Sequence, residues 1–213
     1  MPTKITFESK RVYGAVQRLL HLSVAGAVLV LMITGWGAQL LENRQVLRAT
    51  SKVHLISGYL LLALLALRVL WGVVGPASAR SGDFWHPHQW RLALFNQMKP
   101  AFRWGHDVRA SAAYLVVYLA MLGLSFTGLG LAATEHDQGF TDFLRSWFDD
   151  VRLGEWFEGI HEVLALGVAL FVFVHLLALW LHERFERTPK IQSMFTGFQY
   201  KPIQGEQLND EIK

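Results

Sequence analysis

An all-α integral membrane protein, built as a bundle of four spanning helices, is the fold class this sequence predicts. Three observations carry it. Of 213 residues, 52% are hydrophobic and 17% charged, and the mean hydropathy is +0.27, more apolar than a soluble domain of this size. Four apolar runs, at about Leu19–Leu41, Val53–Val74, Ala112–Ala133 and Gly159–Leu181, approach or exceed the ~20 residues that a spanning helix needs. The intervals between them are rich in Gly, Pro, Asp and Arg, which suits connecting loops. No internal repeat and no low-complexity segment stands out.

The first run is long, lacks a small-residue cleavage site and carries His21, so it reads as a retained helix rather than a signal peptide. Cysteine is absent, which excludes disulfides, thiolate metal sites, iron–sulfur ligation and thioether-attached haem. The isoelectric point near 9.3 would suggest nucleic acid in a soluble protein. Here the basic residues flank apolar runs, so no nucleic-acid partner is expected and the charge is read as membrane orientation. Lys4, Lys10, Arg11 and Arg18 precede the first run. Arg80, Arg91, Lys99, Arg103 and Arg109 lie between the second and third, and Arg184, Arg187 and Lys190 follow the fourth. The third interval is acidic, with Glu135, Asp137, Asp142, Asp149, Asp150 and Glu155. The positive-inside rule therefore places both termini and the second loop in the cytoplasm, although Arg44, Arg48 and Lys52 in the first interval dissent. Trp36, Trp71, Trp156 and Trp180 near the run ends suit an interfacial aromatic belt.

The fourth run carries His161 and His175. Their fourteen-residue separation is roughly 40° short of four turns and roughly 21 Å of rise, so both imidazoles leave one helix face at opposite depths. With the orientation above, His21 on the first run matches the depth of His175, and His54 on the second matches His161. An isolated histidine in lipid is costly, and intramembrane ionisable residues default to function. Taken singly, each is equally well explained as an interfacial side chain bonded to a neighbouring helix. Four that pair by depth are harder to dismiss. Zinc favours four ligands at one level; two opposed imidazoles suit a six-coordinate haem iron, which has no open position for oxygen chemistry and points to electron transfer.

Supporting residues each carry two readings. Ala25, Gly58, Ala165 and Ala178 lie about one turn past the histidines, where small side chains leave room for a flat macrocycle or simply let helices pack closely. Arg68, fourteen residues after His54, lies at the inner level, where it would pair with a haem propionate or snorkel to the surface. Arg18 and Lys52 are weaker candidates for the propionate role. His182 competes with His175, being seven residues further on and about 20° from the same face. His86 and His88 flank Pro87 and read as an exposed loop pair; His106 and His136 flank the third run as solvated loop residues or as groups for proton exchange with a quinone.

These residues together resemble the bacterial cytochrome b561 family, which is similar to the b-type cytochrome subunit of nickel–iron hydrogenases. The resemblance rests on Arg18-Leu19-Leu20-His21, on His54 with Gly58-Tyr59, and on Ala66-Leu67-Arg68-Val69-Leu70-Trp71-Gly72 before Gly75-Pro76. Gly105-His106-Asp107, His161-Glu162 ahead of His175, and Met194-Phe195-Thr196-Gly197 complete it, from about Val12 to Gly197. It implies two non-covalent b haems in a four-helix bundle, with His21, His54, His161 and His175 as axial ligands in the pairing given by depth. Leu22 departs from the tryptophan that many relatives have after the first histidine, and relatives can also carry a histidine near the position of His182.

The chain is thus expected to divide into a four-helix dihaem domain over residues 1–187 and a polar cytoplasmic tail over residues 188–213, mobile beyond Gly197. Phe140, Phe143, Leu144, Trp147, Phe148 and Val151 follow helical spacing and predict an amphipathic surface helix, whose Asp142, Asp149 and Asp150 would steer a basic partner or merely be solvated. Phe84, Trp85, Trp90, Leu92, Phe95 and Trp104 would lie in the interface and border a quinone pocket. The expected function is electron transfer between the quinone pool, ubiquinone or menaquinone, and a redox partner such as a hydrogenase-like subunit or a c-type cytochrome, with membrane lipid as the remaining partner. The alternatives are a stand-alone superoxide:quinone oxidoreductase of the same fold and a non-redox metal-binding membrane protein.

Overall fold

The computed structural model describes residues 6–76, 87–95, 104, 108–134, 151–186 and 189–203. In chain order the elements are β1 (Thr6–Arg11), α1 (Ala15–Ala38), α2 (Arg44–Val74), α3 (Pro87–Leu94), α4 (Val108–Thr134), α5 (Val151–Glu186), α6 (Ser193–Thr196) and β2 (Phe198–Ile203). Four helices among the described residues are long and apolar enough to cross a membrane: Ala15–Ala38, Arg44–Val74, Ser111–Ala133 and Leu153–Phe185. The chain is a multi-pass, all-α membrane protein, as composition and run lengths predicted. The acidic stretch around Phe140 to Asp150 lies outside the described residues, as do His86, His106 and His136.

Helix α2 starts well before the apolar run that announced it. Asn43 caps its amino terminus, its side-chain oxygen accepting from the backbone N–H groups of Gln45 (2.9 Å) and Val46 (3.3 Å). The 31 residues that follow rise about 46 Å against a hydrocarbon layer of about 30 Å. Arg44, Arg48 and Lys52 therefore belong to a helix rather than a loop, on turns that extend past the apolar stretch. Apolar-run reading stops at such residues because it registers lipid compatibility, not helicity.

The helices pack as two hairpins, α1 on α2 and α4 on α5, joined by α2 against α4. Their shared core comprises Leu20, Ala27 and Val28 of α1, Leu61, Leu64 and Leu65 of α2, Val117 and Met121 of α4, and Val168 of α5. At the α4–α5 contact, a Cβ on Gly123 would meet Leu164 Cδ1 at 2.8 Å, so the Leu164 side chain packs into the space that glycine leaves. Only 6% of the apolar window of α5 is buried within the chain, the least of the four spans. Exposed Val163, Leu166, Leu170, Phe173 and Leu177 on this helix suit hydrocarbon.

Phe198–Ile203, the described part of the segment expected to be mobile beyond Gly197, forms β2, which pairs antiparallel with β1 from Thr6↔Ile203 to Arg11↔Phe198. The turn that delivers it is fixed at several points. Gly197 adopts φ +87°, in the left-handed region that favours glycine, and its carbonyl accepts from Val12 (2.9 Å) and Tyr13 (3.1 Å). Arg18 Nη1 donates to the Phe195 carbonyl. Glu183 Oε1 accepts from the backbone N–H groups of Lys190 (3.0 Å) and Ile191 (2.7 Å), clasping the segment that leaves α5. Backbone ladder bonds order this segment, and side-chain hydropathy does not report those.

Candidate functional site

Two ends of the bundle carry the histidines. At the end where α1 finishes and α2 begins, His54 of α2 faces His161 of α5 with ring centres 6.3 Å apart and planes at 62°. Both rings are held from behind. Thr34 Oγ1 on α1 lies 3.0 Å from His54 Nδ1 and 2.7 Å from the Val30 carbonyl, to which it donates. Thr127 Oγ1 on α4 lies 2.9 Å from His161 Nδ1 and 2.9 Å from the Gly123 carbonyl. The residue after each threonine is a glycine against the same ring. A Cβ on Gly35 would stand 3.3 Å from His54 Cε1, and one on Gly128 would stand 3.3 Å from His161 Cε1.

This geometry can be tested against the group that bis-imidazole chemistry implies. An imidazole nitrogen lies about 2.0–2.1 Å from the metal it binds, and with the ring radius added on each side two trans rings have centres roughly 6.3–6.5 Å apart. The His54–His161 pair has that spacing, and hydrogen bonding engages Nδ1 on both rings, leaving Nε2 available. Beside His54, a Cβ built on Gly58 meets nothing within 4 Å. The space there is open rather than filled by close helix packing, as room for a flat ring requires. The residues present therefore fit a haem. Among the described residues no three His, Cys, Asp or Glu side chains converge on a metal-sized site, so the four-ligand arrangement that zinc favours is not found there.

At the opposite end, His21 of α1 lies within electrostatic reach of His175 of α5 and of Arg68 of α2. Here aromatic rings provide the support. His175 stacks on Phe171 (5.7 Å, 11°), and Tyr114 of α4 meets both Phe171 (6.2 Å, 78°) and His175 (6.3 Å, 74°) edge-on. The Arg68 guanidinium lies over the Tyr118 ring, 6.0 Å from its centre. Arg68 thus stands over an α4 ring and within electrostatic reach of His21. His182 is half-buried on the same helix, seven residues past His175.

The remaining sequence candidates divide between the two ends. Arg18 is engaged with the Phe195 carbonyl of α6, so its guanidinium is turned to the terminal ribbon. Lys52 is exposed, and lines a surface groove with Arg44, Gln45, Arg48 and Ala49 beside the His54 end. His88 is exposed on α3, which Trp90 fastens to α4 by donating to Ser111 Oγ (2.8 Å). Thr34, Gly35, Thr127 and Gly128 were missed from sequence. A signal did exist: Ile33-Thr34-Gly35-Trp36-Gly37 and Phe126-Thr127-Gly128-Leu129-Gly130 share the pattern Thr-Gly-x-Gly, each on the first helix of its hairpin. The pattern is inconspicuous because it is four residues long and its partners are 20 and 34 residues away.

The sequence profile of prokaryotic cytochrome b561 matches residues 12–197 of this chain. A probable Ni/Fe-hydrogenase B-type cytochrome subunit of Rhizobium leguminosarum bv. viciae is 27% identical over 215 residues, covering 89% of this chain and 88% of the relative. Its counterpart of the same description in Bradyrhizobium diazoefficiens is 24% identical over 212 residues, covering 87% of this chain and 84% of the relative. With the four spanning helices and a histidine pair spaced for one iron, the match over nearly the whole chain leads to one conclusion: this protein belongs to the prokaryotic cytochrome b561 family, the membrane b-type cytochromes of electron transfer.

Proposed function

We propose that the chain carries electrons across the bacterial inner membrane through two b haems, between the quinone pool and a redox partner protein. The observation that carries this reading is the His54–His161 pair, 6.3 Å between ring centres with Nδ1 of each ring already engaged. His54 and His161 hold one haem, and His21 and His175 the other. When bound, each supplies a reversible one-electron couple, and two imidazoles per iron keep oxygen from the metal. Helix α5 contributes to both sites from residues about 21 Å apart along its axis, so one rigid element fixes their relative depth. Arg68 sets the charge at the His21–His175 end. The excess of Lys and Arg at that end orients it, with both termini, toward the cytoplasm. The names of the two relatives support a hydrogenase-like protein as the redox partner.

A reduced-minus-oxidised spectrum with haem quantitation on the wild type, His54→Ala and His175→Ala tests this. We expect about two b haems per wild-type chain and loss of a different one in each variant. Anaerobic addition of a quinol should then reduce the wild type. A purified chain that binds zinc and shows no Soret band would sink the proposal. Reduction of quinone by superoxide with the chain alone would instead favour a stand-alone oxidoreductase.

A further inference from the structure

The two hairpins repeat one arrangement that pairing by depth does not require. In the first, Thr34-Gly35 of α1 backs His54 of α2; in the second, Thr127-Gly128 of α4 backs His161 of α5. The details correspond atom by atom. Each threonine hydroxyl has a backbone carbonyl four residues earlier, Val30 at 2.7 Å and Gly123 at 2.9 Å, and a second three residues earlier, Leu31 at 3.3 Å and Leu124 at 3.2 Å. A hydroxyl has one proton and a carbonyl can only accept. Once that proton is on the carbonyl, the threonine oxygen faces Nδ1 as an acceptor, and Nδ1 must carry the ring proton. The Leu31 carbonyl beside His54 and the Leu124 carbonyl beside His161 present acceptors to the same rings, which favours the same tautomer. Nε2 is then the bare nitrogen, the one able to bind metal.

We propose that Thr34 and Thr127 are positioning residues that fix the tautomer and azimuth of His54 and His161. Gly35 and Gly128 keep the ring edge clear so that the hydroxyl can reach it. The inference rests on these histidines being haem ligands. It goes further in assigning a paired device to one end of the molecule only, because among the described residues no hydroxyl reaches His21 or His175. Partners that orient a metal-bound histidine typically matter 10–100-fold in metal affinity. A neutral acceptor on Nδ1–H also makes the ring a stronger donor and favours the oxidised iron.

The test uses the full chain in detergent, with Thr34→Val, Thr127→Val and the matching Thr→Ser variants. Its readouts are the rate of haem release to an excess of apomyoglobin and the midpoint potential of each haem. Each valine variant should release one haem about 10–100-fold faster, raise the potential of that haem and leave the other unchanged. The serine variants should restore both quantities, since serine keeps the hydroxyl and loses only the methyl. Valine variants with wild-type release and potential overturn the inference, as do serine variants that behave like valine. If a valine variant loses both haems it has misfolded, and Thr→Ala against Thr→Ser at that site then decides, with equal behaviour of the two counting against the hydroxyl. His54→Ala separates the two levels: haem content unchanged there defeats the ligand assignment, whereas haem lost there with threonine variants unchanged defeats only the positioning role.

Discussion

The two histidine ends of this bundle are built on different principles. At the His54–His161 end, hydroxyls and glycines on neighbouring helices fix the rings in a local geometry that needs little else from the chain. At the His21–His175 end, the His175 ring is oriented by aromatic packing on Phe171 and Tyr114, and the surroundings come from charge and from the β1–β2 ribbon. Directional hydrogen bonds specify one ring angle, whereas aromatic contacts tolerate a range of angles at small energetic cost, about 0.5–1.5 kcal/mol per pair. The first end is therefore a rigid clamp and the second is adjustable.

The largest expected effect that separates the ends comes from Gly197→Ala. The residue sits at φ +87°, and a Cβ would also stand 2.6 Å from the Tyr13 carbonyl oxygen. A non-glycine residue in such a conformation costs about 1–3 kcal/mol, and the clash places this one at the upper end of that range. The β1–β2 ribbon should loosen, seen as faster limited proteolysis near both termini. The spectrum of the haem proposed at His21–His175 should broaden while that of the haem proposed at His54–His161 stays unchanged. Equal disturbance of both haems would show that the ends are not independent.

Arg68→Leu is a milder probe of the same contrast. Removing a positive charge beside His21 favours the oxidised iron, so the potential of the haem proposed there should fall. A tenfold change in the one-electron equilibrium corresponds to about 59 mV, and a shift of about that size is expected by redox titration. The clamp end should not respond. A shift at the His54–His161 haem instead would reverse the assignment of Arg68.

Legibility in the sequence followed the same division. The four spans and the histidine depths were readable because lipid imposes long apolar runs and makes each polar residue within them conspicuous. Arg18 gained a role that its place beside His21 did not announce, donating to the Phe195 carbonyl next to the ribbon, while Lys52 lines an exposed groove. The threonine clamps were hidden because a Thr-Gly pair in an apolar helix is ordinary, and its meaning appears only when the neighbouring helix brings a ring to it. The ribbon was hidden for a related reason. Met194-Phe195-Thr196-Gly197 stood out as a motif, but the need for glycine arises from the Tyr13 carbonyl at the far end of the chain.

The smallest effect concerns Tyr13, just outside α1. Burial, aided by the neighbouring Tyr114, pushes its phenol up to about 12 from the ordinary value of 10.0. The phenol is only 4% exposed, and its oxygen faces the Gln199 amide of β2 at 3.2 Å, so it lies where the ribbon meets the bundle. A folded-state value above the unfolded one means that the folded chain holds its proton longer. The contribution to stability is complete below about pH 10 and declines as pH rises toward about 12, because only the unfolded chain gains by ionising in that interval. The phenolate absorbance of Tyr13, taken as the difference between wild type and Tyr13→Phe, should therefore appear only near pH 12. The ribbon should loosen over the same range, by the proteolysis measure used for Gly197→Ala, with the clamp-end haem again indifferent. Titration of Tyr13 near pH 10 would mean that water reaches the phenol and that the ribbon does not seal this end of the bundle.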